Sequence, residues 1–292
     1  MAICVLGEGL VDLVPVSPGS LQNYTPALGG GPYNVAIAAS RLGAEVIFQS
    51  RLSTDGFGAE LVANLLAEGI NIDYLERGDE PTIIAITTIA RDGSAQYSFY
   101  TEGTATAFLK PTLIDANIAC FGTLSLAMAP GAQRLAAILR KFSQQGTLVA
   151  LDPNIRPFYA TSDHRNFLLE LLPEVHLLKL SDEEVDFLGE EALSQVPVAV
   201  ITRGADGLTV VQGAQRWDVA GVSTTVADTI GAGDTVMGAL LARLDALNIS
   251  ASTLSELNEC QWREIANYAA RAAAITVSRK GAQPPHAADL SA

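Results

Sequence analysis

The chain is poor in the residues that would mark a secreted, metal-holding or nucleic-acid-binding protein. Its 292 residues include three cysteines, Cys4, Cys120 and Cys260. The odd number and the absence of short spacings exclude a complete disulfide framework and a cysteine-based metal module. All three fall in apolar or helical stretches and read as reduced core thiols. The three histidines, His164, His176 and His286, are too scattered for metal capture, and packed or exposed imidazoles account for them. Positive charge is scarce as well: 18 Lys and Arg stand against 32 Asp and Glu, for a net charge of −14. That balance, with an isoelectric point near 4.5, argues against nucleic acid or an anionic membrane as a partner. The one basic run, Arg279-Lys280-Gly281, is too small to reverse it. No apolar stretch approaches a membrane span, and Ile3–Leu6, with no basic residues before it, is too short for a signal segment. The expectation is a cytoplasmic protein.

What is abundant is apolar residues. At 49% hydrophobic and 17% charged, the chain supports a large buried core in one α/β domain spanning residues 1–292. Runs of apolar residues at Ile3–Gly7, Glu45–Arg51, Ile118–Thr123, Leu148–Asp152, His176–Leu180, Val198–Thr202 and Leu208–Val211 read as strands. Helical patterns lie between most of them: from Gly31 to a stop at Gly43, over Phe57–Glu68, up to Gln145, over 163–172 and over Gln261–Val277. Alternation of this kind gives a doubly wound, mostly parallel sheet flanked by helices. Two segments break the pattern. Residues 10–28 are irregular, and 82–104 hold a hairpin, Ile83–Ala90 and Ala95–Tyr100 joined through Arg91-Asp92-Gly93-Ser94. An excursion of this type reads as a flap over a ligand.

Ligands of such sheets bind where strand ends feed into helices. The most informative segment there is Asp228–Leu244, in which a Gly231-Ala232-Gly233 turn opens an apolar helix with Asp234 in its first turn. Glycines admit close backbone approach, and a helix N-terminus offers unpaired amides and a positive dipole end, which suits a phosphate. A carboxylate beside a bound phosphate would be repelled by it, so Asp234 points to a base acting as a phosphoryl group arrives. A plain turn at Gly231 and a plain cap at Asp234 account for the same residues structurally. Polar residues recur at the other strand ends: Asp12; Asn34; Asp152, Asn154 and Arg156; Lys179, Ser181 and Glu184; Thr202, Arg203 and Gly204. Each alone reads as a turn or cap, and only their recurrence at one end of the sheet points to a site. Gly7-Glu8-Gly9 does not extend to a dinucleotide fingerprint, because Asp12 occupies the third glycine position and no helix follows. No P-loop is present.

The chain resembles the PfkB, or ribokinase-like, carbohydrate kinase family along essentially its whole length. The resemblance is carried by Asp228-Thr229-x-Gly231-Ala232-Gly233-Asp234-Thr235 and by Gly29-Gly30-Gly31-Pro32-Tyr33-Asn34-Val35-Ala36. Within the family, Asp152-Pro153-Asn154-Ile155-Arg156 and Lys179-Leu180-Ser181-Asp182-Glu183-Glu184 are similar to the fructokinase and 2-keto-3-deoxygluconate kinase branches. This implies a ribokinase-like α/β core with a small β-sheet lid from about 10–28 and 82–104. It implies ATP-dependent phosphorylation of a small sugar at a primary hydroxyl, fructose first, with a keto-deoxy sugar acid, ribose or a nucleoside as alternatives. A non-catalytic sugar- or nucleotide-binding regulator is the reading from a different class.

By the same resemblance Asp234 is the general base, and the amides of Gly231, Ala232, Gly233 and Asp234 form the anion hole. Asp12, Gly30, Gly31, Asn34 and Arg156 contact the sugar. Lys179, Thr202, Gly204 and Gly207 contact the nucleotide. Glu184 serves Mg²⁺ through water, Asp228, Ile230 and Gly281 hold K⁺, and a homodimer forms through the lid. Three positions depart from the pattern: Ser181 replaces the family asparagine three residues before Glu184, Thr101 stands where an arginine is common, and Pro285 replaces a serine of the cation loop.

Overall fold

The computed structural model describes residues 2–17, 23–89 and 95–290. The chain opens with β1 (Ile3–Leu6), a fully buried strand, and leaves the main layer for β2 (Leu10–Pro15) and β3 (Tyr24–Gly29). Helix α1 (Gly31–Arg41) follows, with proline in its first turn, where a missing N–H costs nothing. The strand expected over Glu45–Arg51 divides into β4 (Val46–Gln49) and β5 (Arg51–Ser53). Next come α2 (Gly56–Ala67), β6 (Glu76–Gly78), β7 (Ile83–Ile89) and β8 (Ala95–Tyr100). The turn expected at 91–94 and part of the 10–28 segment lie outside the described residues.

The second half runs β9 (Ile118–Gly122), α3 (Gly131–Gln144), β10 (Leu148–Asp152), α4 (Ser162–Leu169), β11 (Leu177–Ser181) and α5 (Asp182–Leu188). It ends with β12 (Val198–Thr202), β13 (Leu208–Gln212), β14 (Gln215–Val219), α6 (Ala232–Ala246) and α7 (Glu259–Val277). Helix α4 stops at Leu169, short of the expected 172, and a separate turn of 3₁₀ helix carries Pro173. Helix α7 starts two residues earlier than expected because Asn258 and Gln261 form a capping box.

Eight strands form the main sheet in the order β14-β13-β12-β11-β10-β9-β1-β4, parallel from β4 to β12 and antiparallel beyond. Strands β6 and β14 were not expected; β14 alternates buried and exposed positions without an apolar run. One face of the sheet packs on α1, α2, α6 and α7, the other on α3, α4 and α5. Successive residues of β9 divide between the two cores, Ile118 and Cys120 on one side, Ala119 and Phe121 on the other. Cys4 and Cys120 are buried as expected, but Cys260 is exposed in the first turn of α7, so it is not a core thiol.

A separate four-stranded sheet, β3-β2-β7-β8, holds the two segments that broke the sequence pattern. Strand order reverses about β1, with β4 on one side and β9 on the other. The crevice outside their carboxyl ends is where an open α/β sheet binds its ligand, and the small sheet stands over it.

Candidate active site

Two glycine-led helices meet at this crevice. At the start of α1, Gly30 has φ 112°, and a Cβ there would lie 2.8 Å from the Glu8 carbonyl oxygen. At the start of α6, Gly231 has φ 76°, and a Cβ would come within 2.6 Å of Ala282. The helices touch through Gly238, where a side chain would meet Ala38 and the α1 backbone. This approach sets Asn34 of α1 beside Asp234 of α6. Asn34 Nδ2 donates to Asp234 Oδ2 at 2.8 Å, and Asn154 Nδ2, from the loop after β10, donates to Oδ1 at 3.3 Å. Burial pushes the Asp234 carboxyl above its ordinary range, opposed by the Asn34 hydrogen bond and by the charges of Lys179 and Arg156.

Beneath the α6 turn lies a buried ion pair. Lys179 Nζ donates to both Asp152 oxygens at 3.0 and 3.1 Å. Burial works against the ammonium, yet the carboxylates of Asp152, Glu184 and Asp234 together hold its pKa above the ordinary value. A Cβ on Gly233 would sit 3.0 Å from Nζ, so the glycine lets the turn lie close on the lysine. The Ala232 amide turns back to the Thr229 carbonyl at 3.3 Å, unlike the expected free donor. By helix geometry the first-turn amides of Gly233 and Asp234 have no intrahelical acceptor.

Two cavities meet at this turn. The smaller, about 330 Å³, is walled by Asp12, Gly30, Gly31, Asn34, Arg156 and Asp234, all expected there, and also by Lys179, Ile230, Gly231 and Gly233. The larger, about 580 Å³, is walled by Thr202, Gly204, Gly207 and Ala232, with an apolar side from Val222, Ala273 and Val277. Thr229 and Gly233 line both. Lys179 lines the smaller cavity rather than the one walled by Thr202 and Gly207, because β11 ends beside β10 and under α6.

Glu184 and Ser181 are engaged with the start of α5. Ser181 caps α5, while Glu184 accepts from the Ser181 amide (2.7 Å) and from the Ile155 amide (2.5 Å), tying β11 to the loop after β10. Glu184 lines neither cavity. Asp228 accepts from the Ile230 and Gly281 amides at 3.0 and 2.9 Å, drawing those loops together next to the turn. Arg279 pairs with Asp289 at 3.0 Å. Among the described residues, no cluster of three or more His, Cys, Asp or Glu is arranged to hold a metal ion.

Contributors to the smaller cavity that sequence reasoning missed include Glu8, Phe99 and Tyr159. Glu8, 1% exposed, accepts from the Thr123 hydroxyl and the Ser125 amide and is pushed up by burial; its signal was a charged residue directly after a buried strand. Phe99 stacks on Phe158 at 4.7 Å and joins the small sheet to the loop after β10. Tyr159 closes the same wall, and no local pattern marks it.

The chain matches the pfkB family carbohydrate kinase model over residues 2–288. It is 31% identical over 311 residues to a protein named probable fructokinase-4 from Arabidopsis thaliana, covering 97% of this chain and 92% of that protein. Among solved structures, a fructokinase with bound ATP from Xylella fastidiosa superimposes with a TM-score of 0.91 at 24% identity, covering 99% of this chain and 97% of that one. A fructokinase from Vibrio cholerae O395 in a fructose, ADP and calcium ion bound form gives a TM-score of 0.87 at 25% identity, over 99% and 97% of the chains.

Proposed function

The chain belongs to the pfkB family of carbohydrate kinases, and from that premise we propose that it transfers the γ-phosphoryl group of ATP to the primary hydroxyl of fructose, giving fructose 6-phosphate and ADP. The observation that carries this reading is the meeting of a polar and a partly apolar cavity at one helix-opening turn, with a buried carboxylate on the polar side. The polar cavity takes the sugar. The other takes the adenosine part of ATP, its apolar side against Val222, Ala273 and Val277. The curated relative and the sugar-bound neighbour are both named fructokinase, which supports the substrate.

In this reading Asp234 takes the proton from the sugar hydroxyl as its oxygen forms a bond to the γ-phosphorus. The bond from that phosphorus to the bridging oxygen breaks, and ADP leaves with the electron pair. The amides of Gly231, Gly233 and Asp234 receive the charge on the phosphoryl oxygens, and Lys179 below Gly233 adds a fixed positive charge. Asp12, Gly30, Gly31 and Asn34 hold the sugar, and the small sheet acts as its lid. Asp152 and Glu184 are committed to Lys179 and to backbone amides. Mg²⁺ would therefore ride on the nucleotide phosphates, with Glu184 reached only through water; it supplies charge neutralisation. Asp228, Ile230 and Gly281 would hold K⁺ beside the turn, consistent with the loops already drawn together there. Two buried, unpaired cysteines suit a reducing cytoplasm. The exposed Tyr97 and Tyr100 on β8 suit a second copy packing on the small sheet.

One observation favours a second substrate. Arg156 lines the sugar cavity and would pair with the carboxylate of a 2-keto-3-deoxy sugar acid, although Asp12 and Asp234 in the same cavity oppose an anion. ADP release with Mg-ATP across fructose, ribose, 2-keto-3-deoxygluconate and adenosine separates them, with and without K⁺. Fructose turnover that falls by about 10²–10⁴-fold in Asp234→Asn is the expected result. Near-unchanged turnover in that variant removes Asp234 from the mechanism, and faster turnover of the acid transfers the assignment to it.

A further inference from the structure

A general base has to present one particular oxygen to the substrate, and a carboxylate free to turn about its Cβ–Cγ bond does not. Asp234 is held at both oxygens, but its two holders differ in how they are fixed. Asn34 belongs to the packed helix α1, and its contact is the shorter at 2.8 Å. Asn154 lies in the loop between β10 and α4 and reaches Oδ1 at 3.3 Å. Its backbone is in the left-handed region, φ 43°, a conformation asparagine tolerates but does not favour. A regular element does not hold it there.

What does hold it is Tyr159. The tyrosine hydroxyl donates to the Asn154 carbonyl at 2.5 Å. Its ring packs edge-on against Phe158 (4.9 Å) and His164 (5.2 Å), and it is 7% exposed. Phe158 in turn stacks on Phe99 of the small sheet. Burial raises the Tyr159 hydroxyl far above any working pH, so it remains a donor throughout.

We propose that Tyr159 is a positioning residue for phosphoryl transfer: by fixing Asn154 it keeps the Asn154 amide on Asp234 and so keeps the base aimed at the sugar hydroxyl. The proposal rests on the reading of Asp234 as the base. It carries a pH signature, because a hydrogen bond to the charged carboxylate favours that form and its loss disfavours it. The charged groups around Asp234 are Asp12 of β2, Asp152 of β10, Arg156 of the same loop, Lys179 of β11 and Glu184 of α5. The variants below leave all of them in place.

Tyr159→Phe keeps the ring packing and removes the donor. Asn154→Gly accepts the left-handed backbone and removes the amide. In Tyr159→Phe, kcat falls by about 5–20-fold with the sugar KM within roughly twofold, and the acid limb of kcat/KM moves to higher pH. Asn154→Gly shows the same pattern more strongly, and the double variant is no worse than Asn154→Gly alone, because the tyrosine acts through the asparagine. An unmoved acid limb, additive losses, or a fall in thermal stability with unchanged kcat overturns the proposal. Asp234→Asn is measured alongside. If it is inactive while Tyr159→Phe is normal, only the positioning role falls. If it is active, the reading of the base falls with it.

Discussion

Asp12 lines the smaller cavity at the expense of stability, and the cost is open to measurement. The carboxylate lies against the Gly29 backbone, where a Cβ would be 2.8 Å from Oδ2. Burial pushes its pKa up to about 6 from an ordinary 3.8, against the pull of Arg156 and with the help of the Asp234 charge. A carboxyl raised in the folded state keeps its proton there after the unfolded chain has released it. Stability is therefore unpenalised below about pH 4 and declines as pH rises through about 6, where the folded group must also ionise. The gap between about 6 and 3.8, at about 1.4 kcal/mol per pH unit, sets a ceiling of about 3 kcal/mol. Water at the cavity mouth screens part of it, leaving about 1–2 kcal/mol. Asp12→Asn relieves the cost. Its Tm should exceed that of the parent by about 2–4 °C near pH 8, with the gain gone near pH 4, while fructose binding weakens. Thermal unfolding at the two pH values is the assay. An equal gain at both, or none near pH 8, refutes the reasoning.

Two further predictions address packing beneath the site. Gly238→Ala puts a methyl group 2.6 Å from the Ala38 Cβ and 2.9 Å from the Val35 carbonyl oxygen. The helix-propensity gain of about 1 kcal/mol is outweighed by an overpacking cost of about 1–3 kcal/mol or more, because the opposing atoms include backbone. Urea unfolding should show a net loss, and kcat should fall as Asn34 draws away from Asp234. Lys179→Met leaves Asp152 buried without its partner, at a cost of about 3–5 kcal/mol. Lys179→Met with Asp152→Asn should restore most of the stability but little of the turnover, and full recovery of turnover would show that the lysine serves only to neutralise Asp152.

Local patterns carried the reading of the elements that control their own conformation. The two glycine runs announced α1 and α6 because close backbone approach and positive φ demand that residue. Buried parallel strands such as β9, β10 and β12 announced themselves as short apolar runs. Strand β14 did not, because half of its residues face solvent. Cys260 sits in a helical segment, but helical phase turned it outward, and phase is set by what α7 packs against.

The sequence by itself determined the α/β architecture, the helix-opening turn with Asp234, the excursion that became the small sheet, and most residues at the strand ends. Each of these depends on short-range chemistry: periodicity, glycine freedom, capping. Only the tertiary structure decided which strand ends became neighbours. Strand order about β1 set Glu8 against Thr123. The side-by-side ends of β10 and β11 placed Lys179 on Asp152 and under Gly233. The loop after β10 brought Asn154 to a carboxylate 80 residues away and Tyr159 to Asn154. Parallel strands are joined by long crossovers, so residues at adjacent strand ends are far apart in the chain, and their meeting is a property of sheet order that no local pattern encodes.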